Sequence, residues 1–67
     1  MIPIRMNGRD SEVAPGTTLA ALVESLGKDP RTVAIEKNGE IVPRRLFDST
    51  TLAAGDALEV VQFVQGG

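Results

Sequence analysis

The chain contains no cysteine, histidine, tryptophan or tyrosine. Without cysteine there is no disulfide and no thiolate metal site to staple the fold. Without histidine there is no Ser-His or Cys-His nucleophile pair, no imidazole metal ligand and no histidine general base. A self-sufficient hydrolase or a zinc enzyme is therefore not expected. Phe47 and Phe63 are the whole aromatic content, and seven Lys/Arg stand against nine Asp/Glu for a formal charge of -2. Neither a cationic stripe nor a set of stacking platforms for nucleic acid can be built from that. No apolar run approaches the roughly 20 residues of a membrane span. Met1-Ile2-Pro3-Ile4-Arg5 lacks the charged-then-apolar layout of a secretory signal. The expectation is a cytoplasmic protein that engages neither nucleic acid nor membrane.

What remains is a 67-residue chain, 42% hydrophobic and 24% charged. Its length suits one small domain, 1–67, and its charge content is too ordinary for a disordered segment. No repeat, low-complexity tract or linker divides it. A domain of this size buries only about 60% of the surface its unfolded chain exposes, so the core must be thin.

Ile2, Ile4 and Met6 alternate with Pro3 and Arg5, which predicts a half-buried strand. Pro3 has no N–H to donate and belongs near the start of that strand or on an unpaired side. Asn7-Gly8 is a tight-turn signal, and a two-residue hairpin would resume pairing at Arg9. Residues 10–14 read as the returning strand, with Ser11 and Val13 on one parity, closed by Pro15-Gly16. Thr17 or Thr18 then offers a hydroxyl cap for a helix. Leu19, Leu22, Val23 and Leu26 share one helical face, and Gly27 supplies a left-handed stop. Residues 28–31 read as a loop around Asp29-Pro30.

Val33–Lys37 reads as a strand, Asn38-Gly39 as a second tight turn, and residues 40–43 as a brief partner interrupted by Pro43. Residues 44–54 look irregular, anchored by Leu46, Phe47 and Leu52, with Ser49-Thr50-Thr51 starting a short helical turn. Gly55-Asp56 turns into the last strand, 57–64. A hairpin, one main helix and further strands bury their apolar sides most economically as a small mixed sheet with the helix across one face. That is an α+β fold of the β-grasp, ubiquitin-like kind, with four to five strands. The first and last strands are expected as central neighbours and 40–43 as an edge.

Leu58 and Val60 share the helix-facing parity of the last strand, with Glu59 on the other. Without a bulge, Val61 and Phe63 follow Glu59 onto the solvent face as a partner surface. With a bulge, or with Phe63 folded back over the core edge, that surface disappears. Both readings stand at this point. Gly66-Gly67 closes the chain. Two residues without Cβ cannot pack or hold a strand, so the pair reads either as a frayed end or as a tail that threads a narrow channel. From Val64 to Gly67 such a tail reaches on the order of 10–14 Å. Its carboxylate is a poor acyl donor until it is converted to an acyl-adenylate. Any sulfur it carried would have to sit on the Gly67 carbonyl, since this chain has no thiol.

The sequence resembles the ThiS family, the sulfur carriers of thiamin biosynthesis. The resemblance is carried by Met6-Asn7-Gly8, Gly16-Thr17-Thr18-Leu19, Val33 to Gly39, Ile41-Val42-Pro43-Arg44, Gly55-Asp56 and Phe63-Val64-Gln65-Gly66-Gly67. Gln65 stands where many relatives have another small residue. The resemblance implies a non-catalytic carrier that binds no cofactor itself. Gly67 would be adenylated by an E1-like (ThiF-like) enzyme using ATP and magnesium. Sulfur from an external donor would convert it to a thiocarboxylate, which then serves thiazole synthase (ThiG-like). Gly66 and Gln65 would form the tail, and Phe63 and Val61 would dock on both enzymes. Arg44, which matches the family pattern, reads with Arg45 either as a solvated surface pair or as a basic docking pair for the adenylating enzyme. The free carrier would be a monomer. Two other roles fit the same tail: the molybdopterin-synthase small-subunit type of carrier, and a ubiquitin-like modifier joined to lysine. A plain β-grasp interaction module would need no activated terminus at all.

Overall fold

The computed structural model describes residues 1–63. The strands are β1 (Ile2–Met6), β2 (Arg9–Val13), β3 (Val33–Lys37), β4 (Glu40–Val42) and β5 (Ala57–Gln62), with helix α1 (Leu19–Ser25) between β2 and β3. Short 3-10 turns cover Pro30–Thr32 and Arg44–Leu46. The five strands form one sheet in the order β2-β1-β5-β3-β4. β1 and β5 run parallel at its centre, and the other neighbours are antiparallel. The fold is thus the mixed-sheet β-grasp expected, with β4 at one edge.

Both Asn-Gly pairs make two-residue hairpins. Asn7 and Gly8 have φ of 53° and 79°, and Asn38 and Gly39 have 55° and 86°. Positive φ at both central residues matches the right-handed twist of the flanking strands. Pairing resumes at once, Met6 opposite Arg9 and Lys37 opposite Glu40, so β2 begins at Arg9, one residue before the expected start. The Pro3 carbonyl accepts from the Gly55 N–H at 2.8 Å. The missing N–H of Pro3 lies on that same side, before the β1–β5 ladder begins at Arg5.

Thr18, not Thr17, caps α1, its hydroxyl accepting from the Ala21 N–H at 3.1 Å. The helix ends in a Schellman arrangement, with Gly27 N–H to the Glu24 carbonyl and Lys28 N–H to the Val23 carbonyl. That early stop corrects the helical face read from the sequence. Leu26 becomes the C-cap and is 38% exposed, while Leu19, Leu22 and Val23 are buried.

The core lies between α1 and one sheet face and unites Ile4, Val33, Ile35 and Leu58 of the sheet with the buried helix residues. Phe47 and Leu52 close it from the 44–54 segment, as expected. Leu46 does not; at the end of its 3-10 turn it lies exposed beside Val42 and Pro43, while Phe47 is buried. Two further local readings change. Asp29 caps a 3-10 turn where a plain loop was expected, its carboxylate accepting from the Arg31 N–H at 2.9 Å. Ser49 and Thr50 end a turn rather than start one, their N–H groups donating back to the Leu46 carbonyl.

Ile35 is fully buried on a strand paired on both sides, and the thin core offers little to collapse into the void. Ile35→Ala should cost about 2–5 kcal/mol. Leu26→Ala should stay within about 1 kcal/mol. Urea unfolding of the two variants measures the contrast.

Candidate functional site

β5 is the strand that leads toward the C-terminus, and it lies in the middle of the sheet. Its pairing with β3 runs without slip from Val33 opposite Gln62 to Lys37 opposite Leu58. No bulge intervenes, so strand alternation continues to the end. Leu58 is buried under the helix, while Glu59 and Val61 face outward. Val61 and Phe63 are each 54% exposed. Phe63 therefore does not fold back over the core, and the open-face reading holds. The strand ends at Gln62, not at residue 64 as expected from the sequence; Val64 lies outside the described residues.

The open face has a second apolar contributor that sequence reading assigned no role. Ile41 on β4 lies opposite Glu36 of β3 and is 73% exposed. With Ala34 and Val61 it borders a shallow depression on the sheet. Its signal in the sequence is parity alone, and that becomes legible only once the β3–β4 register is known.

Two asparagine side chains hold β5 in place. The Asn7 amide nitrogen donates to the Val60 carbonyl at 3.2 Å, and the Val60 N–H donates to Asn7 Oδ1 at 2.8 Å. This side chain extends the parallel ladder after β1 has turned away. On the other side the Ala57 N–H donates to Asn38 Oδ1 at 2.9 Å, and Asn38 Nδ2 donates to Asp56 Oδ1 at 3.0 Å. Asp56 Oδ2 accepts from the Ala53 N–H at 2.8 Å, with Lys37 Nζ at 3.9 Å. The Asp56 carboxylate is thus the buried polar group that closes the turn into β5. Burial alone would raise its pKa, but the Ala53 and Asn38 hydrogen bonds and the Lys37 charge together hold it below 3.8.

At Gln62 and Phe63 the chain is held twice more. The Phe63 N–H donates to the Thr32 carbonyl at 2.7 Å, and Lys28 Nζ donates to Gln62 Oε1 at 2.7 Å. Arg44 lies near this exit, its guanidinium donating to the Arg31 carbonyl at 3.0 Å. Phe63, Val61 and Arg44 are thereby placed, the first two at and beside the end of β5. Gln65, Gly66 and Gly67 lie outside the described residues. Among the described residues no three carboxylates gather as a metal site, and no helix is long and apolar enough to cross a membrane.

A central strand that ends in an exposed apolar patch can present whatever follows it to another protein. The comparisons with known proteins say which kind of presenter this is. Residues 4–67 match the ThiS family. The chain belongs to the ThiS family. It is 31% identical over 65 residues to the sulfur carrier protein ThiS of Bacillus subtilis, across 96% of this chain and 98% of that protein. The crystal structure of the ThiS thiamine biosynthesis protein of Geobacter metallireducens superposes with a TM-score of 0.82 at 35% identity, covering 98% of this chain and all of that one. A thiazole synthase of Paramagnetospirillum magneticum is 40% identical over 62 residues, 92% of this chain, yet the chain spans only 19% of that protein's length. ThiS-like sequence thus occurs inside a much longer polypeptide named for another activity.

The Asp56 shift has a stability consequence. Its folded pKa lies below its unfolded value, so the stabilisation is present above the unfolded pKa and is lost as pH falls through the folded one. Urea midpoints should be flat above about pH 5 and should decline below about pH 4. Asp56→Asn should flatten part of that decline, while Asp56→Ala, which leaves two donors unmet, should cost about 1–3 kcal/mol at neutral pH.

Proposed function

We propose that this chain is a sulfur carrier of thiamin biosynthesis that holds sulfur on the carbonyl carbon of Gly67. The observation that carries the reading is the family match running through Gly66 and Gly67, together with near full-length similarity to a protein named as such a carrier. The sheet supports it. The exposed Val61 and Phe63 at the end of β5, with Ile41 on the same face, provide a surface for an enzyme to grip.

The chemistry follows from the terminus. A Gly67 carboxylate oxygen attacks the α-phosphorus of ATP on an E1-like enzyme, and pyrophosphate leaves with its charge shared by magnesium. The product is an acyl-adenylate, in which AMP is a good leaving group. A sulfur nucleophile from an external donor attacks the Gly67 carbonyl and AMP departs. Where the donor is a persulfide, a thiol then attacks the donor-side sulfur of the resulting acyl disulfide, forms a disulfide with the donor and leaves the thiocarboxylate on Gly67. ATP and magnesium belong to the adenylating enzyme. The carrier contributes an acyl carbon, a tail slim enough at Gly66 and Gly67 to enter a channel, and a docking face.

Thiazole synthase is the acceptor that this reading names. The occurrence of a stretch like this chain within a thiazole synthase polypeptide supports the pairing, since fusion keeps a carrier beside the enzyme it serves. Arg44, a charged residue near the exit, acts at the rim, where it sets association rate and salt dependence more than affinity. The free carrier is a cytoplasmic monomer in this account.

Intact mass of the chain after incubation with the adenylating enzyme, ATP, magnesium and a sulfur donor tests the proposal. One oxygen replaced by sulfur, mapped to Gly67 by fragmentation, is the expected result. An unshifted mass with no adenylate refutes it. Deleting Gly66 and Gly67 should abolish the modification without changing the thermal midpoint. Val61→Ser combined with Phe63→Ser should raise KM for adenylation about tenfold, as the loss of some 1.4 kcal/mol of docking implies.

A further inference from the structure

The open sheet face carries a charge arrangement that the fold does not need. Strand parity and register place Asp10, Glu12, Glu36 and Glu59 on that face with a single cation, Arg5. Arg5 is already engaged, its guanidinium donating to the Gly8 carbonyl at 2.9 Å and lying 3.9 Å from Asp10. Glu36 and Glu59 are direct cross-strand partners on β3 and β5, both exposed. Like charges placed opposite one another weaken a strand pair. Among the described residues no cation forms an ion pair with either carboxylate.

The surroundings of the pair say what would relieve it. The two carboxylates border two adjoining depressions. One, of about 60 Å³, has Ala34, Ile41 and Val61 on its walls. The other, of about 270 Å³, is lined besides the pair by Arg5, Gly8, Gly39, Ala57 and Leu58, and Arg5, its one other long charged side chain, is drawn to the Gly8 carbonyl and Asp10 and makes no ion pair with Glu36 or Glu59. Apolar walls beside two carboxylates suit a side chain with an aliphatic stem and a planar, multi-donor cationic head. Arginine has that form: its stem covers apolar surface, and its guanidinium can bond two carboxylates at once. A lysine ammonium would match the charge but not the fork.

We propose that Glu36 and Glu59 receive an arginine side chain from the docking surface of the enzyme that takes sulfur from Gly67. This rests on the sulfur-carrier reading and adds the partner's chemistry to it. Along β5 the face then runs from the carboxylate pair at Glu59, through Val61, to Phe63 and the exit. An arginine seated at one end fixes how β5 lies on the enzyme, and so where Phe63 meets it at the other. The cost of the like-charge pair in the free domain is the counterpart of its use in the complex, so stability and binding should respond in opposite directions.

Glu36→Gln, Glu59→Gln and the double variant test this, with Glu24→Gln on the exposed side of α1 as control. Titration calorimetry against purified thiazole synthase from the same organism should show Kd raised about tenfold by each single variant. The salt dependence of binding should flatten, while the thermal midpoints rise and Glu24→Gln changes neither. Alanine substitution of one surface arginine on the synthase should then be non-additive with Glu59→Gln. Unchanged Kd in both single variants overturns the proposal, and so does weaker binding accompanied by a lower midpoint, which would make the pair a structural element. Wild-type self-association in sedimentation that is lost in the double variant overturns it by giving the site to a second copy of this chain. A wild-type chain that shows no binding to the synthase overturns the carrier–synthase pairing itself and this inference with it.

Discussion

The molecule is organised around a constraint on its last strand. β5 sits at the centre of the sheet, where both neighbours hold it, and it is also the strand that leads to the C-terminal residues. β1 pairs with it in parallel over a short stretch only, Arg5 with Ala57 and Met6 with Leu58. The Asn7 side chain takes over from there, exchanging two hydrogen bonds with Val60 as a backbone amide would. Asn38 and Asp56 secure the opposite end of the strand. Each asparagine also supplies the left-handed residue of its hairpin turn. One residue type at two turns therefore both reverses the chain and clamps the strand that matters for function.

A rigid strand under a thin core is a physical requirement of this kind of presentation. The helix covers one sheet face and leaves the other bare, because a chain of this length cannot cover both. The bare face is then free for recognition. Val61 and Phe63 lie toward the end of β5, and Ile41 lies level with the Glu36–Glu59 pair. In the proposed role the domain contributes position and direction, and the chemistry is brought by the enzymes that bind it.

Much of this was legible before the structure. The alternation of Ile2, Ile4 and Met6, the two Asn-Gly pairs, and the Leu19, Leu22 and Val23 spacing are strong local signals that tertiary packing did not override. The Glu59–Val61–Phe63 alternation leaves an exposed apolar surface and a folded-back Phe63 both open, and the unbroken β3–β5 register decides for the first. The failures came where local patterns compete. Leu26 fits the helical face by spacing, but the Gly27 stop takes it out of the last turn. Leu46 is apolar beside Phe47, and a single 3-10 turn separates their fates. The facing of Glu36 and Glu59, the exposure of Ile41 and the second role of Asn7 all depend on register between segments distant in sequence. No periodicity within one segment carries that information.

The central claim is that sulfur held at Gly67 passes into a thiazole. A single-turnover reaction with isotopically labelled thiocarboxylate on this chain and purified thiazole synthase tests it most directly. The account predicts that label lost from Gly67 is recovered in the thiazole product in equal amount. Label that remains on the carrier, or is released as free sulfide while unlabelled thiazole forms from another source, would contradict it.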